Sequence, residues 1–324
     1  LWEEIAASVF ALPASYVMTK VLARYLMRRG SVVPDAHKAG QPKVPRPGGP
    51  ALIVSLALSG ALIYLLSGDL RVAAVVLVAV VAGAVGLLDD LRTLSGPVKV
   101  ALLFAGSLPL LILETYSSHP VLPFVGPLRL TIIYPFLVLL AIPVTANTFN
   151  MIDVYNGLLT GFSALATLPL LVAFVVLGDW AMVAVTLAYI LVLVGFFPFH
   201  RNPSRIFPGD SGSLALGAAY GAIVITGRLE VVGIVALIPA VLNSFFVLSS
   251  VKGFVEHRSM KKRPVILRED FLLEASTDRD APMTLSRMVL AGGPLREEDI
   301  VETIFVLEVV AVALAILTFV MMRW

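Results

Sequence analysis

Residues 70–99 read LRVAAVVLVAVVAGAVGLLDDLRTLSGPVK. No residue from Val72 to Leu88 carries a charge, and the run then stops at the pair Asp89-Asp90. An apolar stretch of this length predicts a membrane-spanning helix over 71–88. Two adjacent carboxylates at a C-terminal helix end face the negative pole of the dipole, so a metal or a cationic partner is expected to offset them. Lys99 opens the next apolar run, at an end where a cation is disfavoured, which predicts that it is free to hold a phosphate.

The same reading extends outward over all 324 residues, of which 58% are hydrophobic and 14% charged, against about 25% charged in ordinary soluble domains. Apolar runs bounded by Gly, Pro or charge predict helices at 4–26, 49–67, 71–88, 98–114, 132–148, 157–177, 180–198, 212–228, 231–250 and 302–322. Ten spans of roughly 20 residues each leave no room for a separate soluble domain. The expected fold is an all-α polytopic membrane protein forming one integral domain over 1–324. The chain starts at Leu1 and its first apolar run ends in Arg28-Arg29, which predicts a trimmed N-terminus with no cleavable signal peptide. With no cysteine, disulfides, thiolate metal sites and cysteine nucleophiles are excluded.

Assigning the connecting segments alternately to two faces places twenty of the lysines and arginines on one face and four on the other. The rich face is expected to be cytoplasmic, with both termini outside and the basic residues marking membrane topology, with no nucleic-acid partner. The cytoplasmic loops then run over about 27–48, 89–98, 148–157, 199–212 and 251–301. Segment 115–131, rich in Pro and Gly, predicts a small extracytoplasmic hairpin. In the last loop VILREDFLLEAS suits either an interfacial helix or a strand pair.

Acids and amides gather at the cytoplasmic helix ends in four segments. They are PDAHKAGQPKVPRPGG (Asp35, His37, Lys38, Lys43, Arg46, Gly48, Gly49), the Asp89-Asp90 segment with Lys99, NTFNMIDVYNG, and FPGDSGS with Phe207 and Asp210. In the third, Asn147, Asn150, Asp153 and Asn156 recur every three residues, so a helix would bring several oxygen-bearing groups to one side. Amides and carboxylates without cysteine make a hard oxygen site suited to Mg²⁺ and a phosphorylated substrate. A single such Asn could serve as hydrogen-bond glue between helices, and Asp210 could simply cap a helix. EHRSMKKRP, with His257, Arg258, Lys261, Lys262 and Arg263, suits anionic lipid or a diphosphate. His37, His119 and His200 are expected to be surface or structural groups.

The motifs DD-x8-K, N-x2-N-x2-D-x2-N-G and F-x-G-D-S-G-S, in this order and on one face, resemble those of the polyprenyl-phosphate N-acetylhexosamine-1-phosphate transferase superfamily. Its members include the bacterial phospho-MurNAc-pentapeptide translocase and the eukaryotic dolichyl-phosphate GlcNAc-1-phosphotransferase. The resemblance implies Mg²⁺-dependent transfer of a sugar 1-phosphate from a UDP-sugar to a membrane polyprenyl phosphate, releasing UMP. It implies that Asp210 and Asn150 ligate Mg²⁺, with Mn²⁺ as the alternative, and that Phe207 stacks on the uracil while Asn156 hydrogen-bonds it. Asp89 and Asp90 would position or deprotonate the acceptor phosphate, with Lys99 holding phosphate charge. His257 and Arg258 would contact the diphosphate. Asn147, Lys38, Gly48 and Gly49 complete the expected substrate-binding set, and Asp153 is placed with the catalytic acids.

Two departures narrow the substrate. The chain has only His257 where the bacterial translocase carries consecutive histidines, which argues against a muramoyl-pentapeptide substrate. Asn156 matches the eukaryotic enzyme and Asp153 the bacterial one, so the chain reads as an archaeal-like intermediate. UDP-GlcNAc and dolichyl phosphate become the expected donor and acceptor, in the plasma membrane, as the first step of lipid-linked oligosaccharide assembly for glycosylation. The rival is a secondary transporter or flippase, which would put its ionisable residues near the bilayer midplane and in repeated halves. The sequence shows helix-end placement and no repeat, and it is compatible with a homodimer.

Overall fold

The computed structural model describes residues 2–251 and 262–323. It is a helical bundle in which, among the described residues, seven helices are long and apolar enough to cross a membrane. The first is a 28-residue stretch formed by α1 (Trp2–Val9) and α2 (Ala11–Arg29), which Gly30 terminates in the left-handed region at φ 73°. The others are α3 (Gly49–Ser67), α4 (Leu70–Leu91), α7 (Tyr134–Ile152), α8 (Leu158–Leu177), α9 (Trp180–His200) and α14 (Glu297–Met321). The chain is therefore an all-α polytopic membrane protein.

Two of the three remaining expected spans depart from simple helices, each for a local reason. Over 98–114 the chain forms α5 (Gly96–Leu103), a 3₁₀ turn at Phe104–Ser107 and α6 (Leu108–Ile112). Pro109 lies at the start of α6, where its missing N–H and its ring oppose a continuous helix. Over 231–250, α11 (Glu230–Ala236) and α12 (Ile238–Val251) meet at a 70° bend just before Pro239. The third, α10 (Gly209–Thr226), is a regular helix in which every residue except Asp210 is buried. Neighbouring helices surround it, so it can use Gly, Ser and Ala where a lipid-facing helix needs larger apolar groups.

α10 packs on α4, α7 and α3. Glycines permit the close approach: a Cβ on Gly86 of α4 would lie 2.3 Å from the Asp210 carbonyl oxygen, and one on Gly217 would lie 2.5 Å from that of Thr145 on α7. At about 1.5 Å rise per residue, the 22 residues of α4 run roughly 33 Å, enough to cross a bilayer core. At its start Arg71 binds Asp69 and Asp179, both at 2.6 Å, tying α4 to the start of α9. Asp89 and Asp90 lie at the opposite end.

Among the described residues three short ribbons accompany the helices: β1 (Val32–Pro34) with β2 (Lys43–Pro45), β3 (Val121–Leu122) with β4 (Gly126–Pro127), and β5 (Val265–Leu267) with β6 (Leu273–Ala275), all antiparallel. The second is the hairpin expected over 115–131. The third resolves VILREDFLLEAS as a strand pair. A short helix, α13 (Leu285–Val289), follows before α14.

Candidate functional site

Two carboxylates of α4 meet the start of α10 and the segment after β2. Asp90 Oδ2 accepts the Ser211 N–H at 2.9 Å and the Ser211 hydroxyl at 2.8 Å, and Oδ1 accepts the Asp210 N–H at 3.0 Å. Arg46 bridges Asp90 Oδ1 at 2.9 Å and Asp210 Oδ1 at 2.8 Å. Lys99 joins Asp89 Oδ2, at 3.0 Å, to Asp210 Oδ2, and Asp89 Oδ1 also accepts the Leu94 N–H at 2.7 Å. The acids flanking a dipole end thus have cationic partners, as the charge argument requires, and those partners are residues of the chain. Lys99 is not free as the sequence suggested: it lies buried between two carboxylates. Asp210 does not act as a cap, because its side chain turns to Arg46 and Lys99.

The amide run does not continue as a helix. α7 ends at Ile152, Asp153 leaves helical geometry at ψ 67°, and Gly157 takes φ 82° to open α8. Asp and Asn between apolar residues favour such a turn, so the period of three spans a helix end and a turn. Asn147 donates to the Pro143 carbonyl at 2.8 Å, one turn back in its own helix. Asn150 Nδ2 donates to the Ser213 hydroxyl at 2.8 Å, which leaves its Oδ1 as the acceptor end beside α10. Asn156 instead joins Asp35 at 2.9 Å, while its backbone N–H donates to Glu297 at 2.8 Å.

Two adjoining cavities open beside this cluster. The smaller, of about 290 Å³, is lined by Phe207, Asn156, Asp35, His37, Asp153 and Arg46, among others. The larger, of about 480 Å³, shares His37, Arg46, Asp153 and Tyr155 and extends to Lys262, Arg263 and Ser286. Small-ligand sites occupy roughly 300–1,000 Å³. Burial pushes the Asp153 carboxyl up to about 7, with Asp210 and Asp90 adding to the shift and Arg46 opposing it. Burial also lowers His37 from its ordinary value, with Glu297 and Asp35 opposing the shift. Arg46 loses by burial yet is held above its usual range by Asp90, Asp210 and Asp153.

Gly48 and Gly49 hold the FPGD turn: their N–H groups donate to the Phe207 and Pro208 carbonyls at 2.8 and 2.7 Å. A Cβ on Gly49 would lie 2.2 Å from Gly212 N, so only glycine fits there. Lys38 pairs with Glu297 at 2.8 Å. Lys262 pairs with Asp278 and Asp280, each at 2.8 Å. His257 and Arg258 lie outside the described residues. His200 is buried, with Nδ1 3.0 Å from the Thr160 hydroxyl and Nε2 3.8 Å from Asp153 Oδ1, and it lines the smaller cavity. His37, expected to be only a surface or structural group, lines both cavities. Arg46 and Asp35 were visible as polar residues of the first segment, but no local pattern assigned them partners 44 to 164 residues away.

The model of glycosyl transferase family 4 matches residues 72–228, the segment containing Asp89, Asp90, Asn150 and Asp210. A relative from Saccharolobus solfataricus is 30% identical over 240 residues, covering 71% of this chain and 73% of its own length. The chain belongs to glycosyl transferase family 4. That relative is provisionally named a UDP-N-acetylglucosamine–dolichyl-phosphate N-acetylglucosaminephosphotransferase. So is one from Sulfolobus acidocaldarius, 28% identical over 93% of this chain and 91% of its own. A phospho-N-acetylmuramoyl-pentapeptide-transferase from Acetivibrio thermocellus is 26% identical over 79% of this chain and 80% of its own. In this family 4 transferase, the acid–cation cluster and the two cavities lie together at one end of the apolar bundle.

Proposed function

We propose that the protein transfers N-acetylglucosamine 1-phosphate from UDP-GlcNAc to a dolichyl or related polyprenyl phosphate, releasing UMP. The observation that carries this reading is the juxtaposition of Asp89, Asp90 and Asp210 with Lys99 and Arg46 at a helix-bundle end, beside the smaller cavity, which Phe207 and Asn156 line. A membrane-anchored acceptor and a water-soluble donor meet at such an end. The relatives' names support the same chemistry.

In the reaction, a phosphate oxygen of the lipid attacks the β-phosphorus of the donor. The bond from that phosphorus to the bridging oxygen breaks, and UMP leaves with the electron pair. Both reactants are anions, so charge neutralisation is the main task. Lys99 and Arg46 are taken up by Asp89, Asp90 and Asp210, so they hold the acids in place, and the further basic groups that face the larger cavity are Lys262 and Arg263. Phe207 and Asn156 form the nucleobase end. Oxygen donors from Asp210 and from Asn150 Oδ1 suit a hard divalent cation and would hold Mg²⁺ or Mn²⁺. That ion, when bound, neutralises phosphate charge and stabilises the leaving group.

The basic-residue count supports ten spans, a cytoplasmic reacting end and both termini outside, in the plasma membrane, with the chain as one integral domain. The test is purified protein in detergent with Mg²⁺, dolichyl phosphate and a panel of radiolabelled UDP-sugars, beside an Asp210→Ala control. Lipid-phase label and UMP, lost in the control, are expected with UDP-GlcNAc. Transfer from another UDP-N-acetylhexosamine alone would reassign the donor. No transfer from folded protein with any UDP-sugar and several polyprenyl phosphates would overturn the reading and bring a transporter forward.

A further inference from the structure

The side chain of Asn156 is held at both ends. Its Nδ2 donates to Asp35 Oδ2 at 2.9 Å and, at a longer 3.5 Å, to Asn202 Oδ1, while its Oδ1 lies 2.8 Å from the Ser204 hydroxyl, whose one proton is shared with the His200 carbonyl oxygen. Asp35 is itself fixed by the β1–β2 hairpin: its N–H donates to the Pro42 carbonyl at 2.9 Å, and its Oδ1 accepts the His37 N–H at 3.3 Å. Asp35 and Asn156 are each 5% exposed, and both line the smaller cavity with Phe207. A carboxylate only accepts hydrogen bonds, so a rotated amide would set Oδ1 against the Asp35 oxygen. Asp35 therefore dictates which end of the amide is donor and which is acceptor.

We propose that Asp35 is a positioning residue for base selection, fixing the polarity of the Asn156 amide so that the cavity takes uracil and refuses cytosine. The inference rests on the reading of Phe207 and Asn156 as the nucleobase site. After Asp35 and Ser204 are served, the amide keeps one oxygen lone pair and a second N–H that rests on Asn202 Oδ1 only at 3.5 Å, a weak contact that a base can replace. Uracil offers the N3–H donor beside a carbonyl acceptor. Cytosine in the same pose offers the reverse order, an N3 acceptor beside an amino donor. An amide free to rotate by 180° would pair with either base. One that is locked leaves two mismatched contacts on the wrong base, which is the arrangement that gives strong discrimination.

The experiment measures UMP and CMP dissociation constants on the 324-residue protein in detergent, for the native chain and for Asp35→Asn, Asp35→Ala, Ser204→Ala and Asn156→Ala. With asparagine at 35, the two amides can rotate together, so the UMP-over-CMP preference is expected to fall at least about tenfold, chiefly through tighter CMP binding. Ser204→Ala leaves the Asp35 contact in place and should keep the native preference, while Asp35→Ala, which removes the acceptor altogether, should lower the preference and decides the matter if Asp35→Asn does not fold. A change in folding alone would weaken both nucleotides equally and leave the ratio intact. If Asn156→Ala collapses the preference but Asp35→Asn and Asp35→Ala leave it at the native value, the role of Asp35 is overturned and the nucleobase site stands. If Asn156→Ala also leaves the preference unchanged, the nucleobase reading fails and this inference fails with it.

Discussion

Asp90 closes the start of α10 from a neighbouring helix, its Oδ2 accepting both the backbone N–H and the hydroxyl of Ser211 at 2.9 and 2.8 Å. The carboxylate does for α10 what an N-cap side chain does within one helix, and it also bonds Arg46. Asp90→Ala is expected to cost about 1–2 kcal/mol in capping and to release Arg46 from one partner. Thermal unfolding in detergent should show the drop, with Asp90→Asn losing less because its amide oxygen still accepts one N–H. Equal melting temperatures for native protein and Asp90→Ala would refute this.

Lys99 carries a different kind of weight. Its ammonium lies between Asp89 and Asp210, with side-chain exposures of 10%, 4% and 16%. Removing one member of a buried ionic group leaves charge uncompensated, at about 3–5 kcal/mol. Lys99→Met should therefore lower the melting temperature more than Asp90→Ala. Adding Asp210→Asn to Lys99→Met should recover part of the stability and none of the transfer activity. A double variant less stable than Lys99→Met alone would contradict the ionic origin of the effect.

Burial pushes the Asp153 carboxyl up to about 7 by disfavouring its charged form. Its folded value lies above the ordinary 3.8, so the unfolded chain ionises first as pH rises. Stability contributed by the neutral form is present at low pH, falls between about pH 4 and 7 and is then fully lost. Asp153→Asn removes this slope. Melting temperatures from pH 4 to 9 should show the variant's relative stability climbing up to about pH 7 and level above it. Parallel curves across that range would sink the prediction.

The α4–α10 contact tolerates no side chain at Gly86, where a Cβ would sit 2.3 Å from the Asp210 carbonyl oxygen. Backbone cannot yield as a flexible side chain can, so Gly86→Ala is expected to shift the start of α10. The cost is about 1–3 kcal/mol, with loss of transfer activity because Asp210 moves with it. Gly68→Ala is the control for general helix effects: it has open space but φ 66°, so it should cost stability through strain and leave the site intact.

Much of the bundle was legible from apolar runs and their Gly, Pro and charge boundaries, because a span in lipid must be continuous and uncharged. The breaks at Pro109 and before Pro239 were written in the sequence too, but a proline near a predicted helix centre does not say whether the chain kinks or restarts. The amide run misled for a related reason: a spacing of three residues fits a helix face, yet Asp153 and Asn156 also favour the turn that forms. Asp89, Asp90 and Asp210 stood out because acids are rare at membrane depth. Arg46 and Asp35 did not, since basic and acidic residues in a loop are ordinary, and their partners are defined only by tertiary contact. Lys99 was read as free because the sequence does not show which anions come to it.

The span of sequence that Arg46 ties together has a consequence for biosynthesis. Its guanidinium meets Asp90, 44 residues on, and Asp210, 164 residues on. A nascent chain that has inserted its first helices holds both cations and two of the three acids but lacks the carboxylate on which they converge. α10, surrounded by protein on every side, has little reason to enter lipid before its neighbours are in place. The constellation therefore closes late, and a chain cut short before α10 would sit in the membrane as a chemically silent fragment.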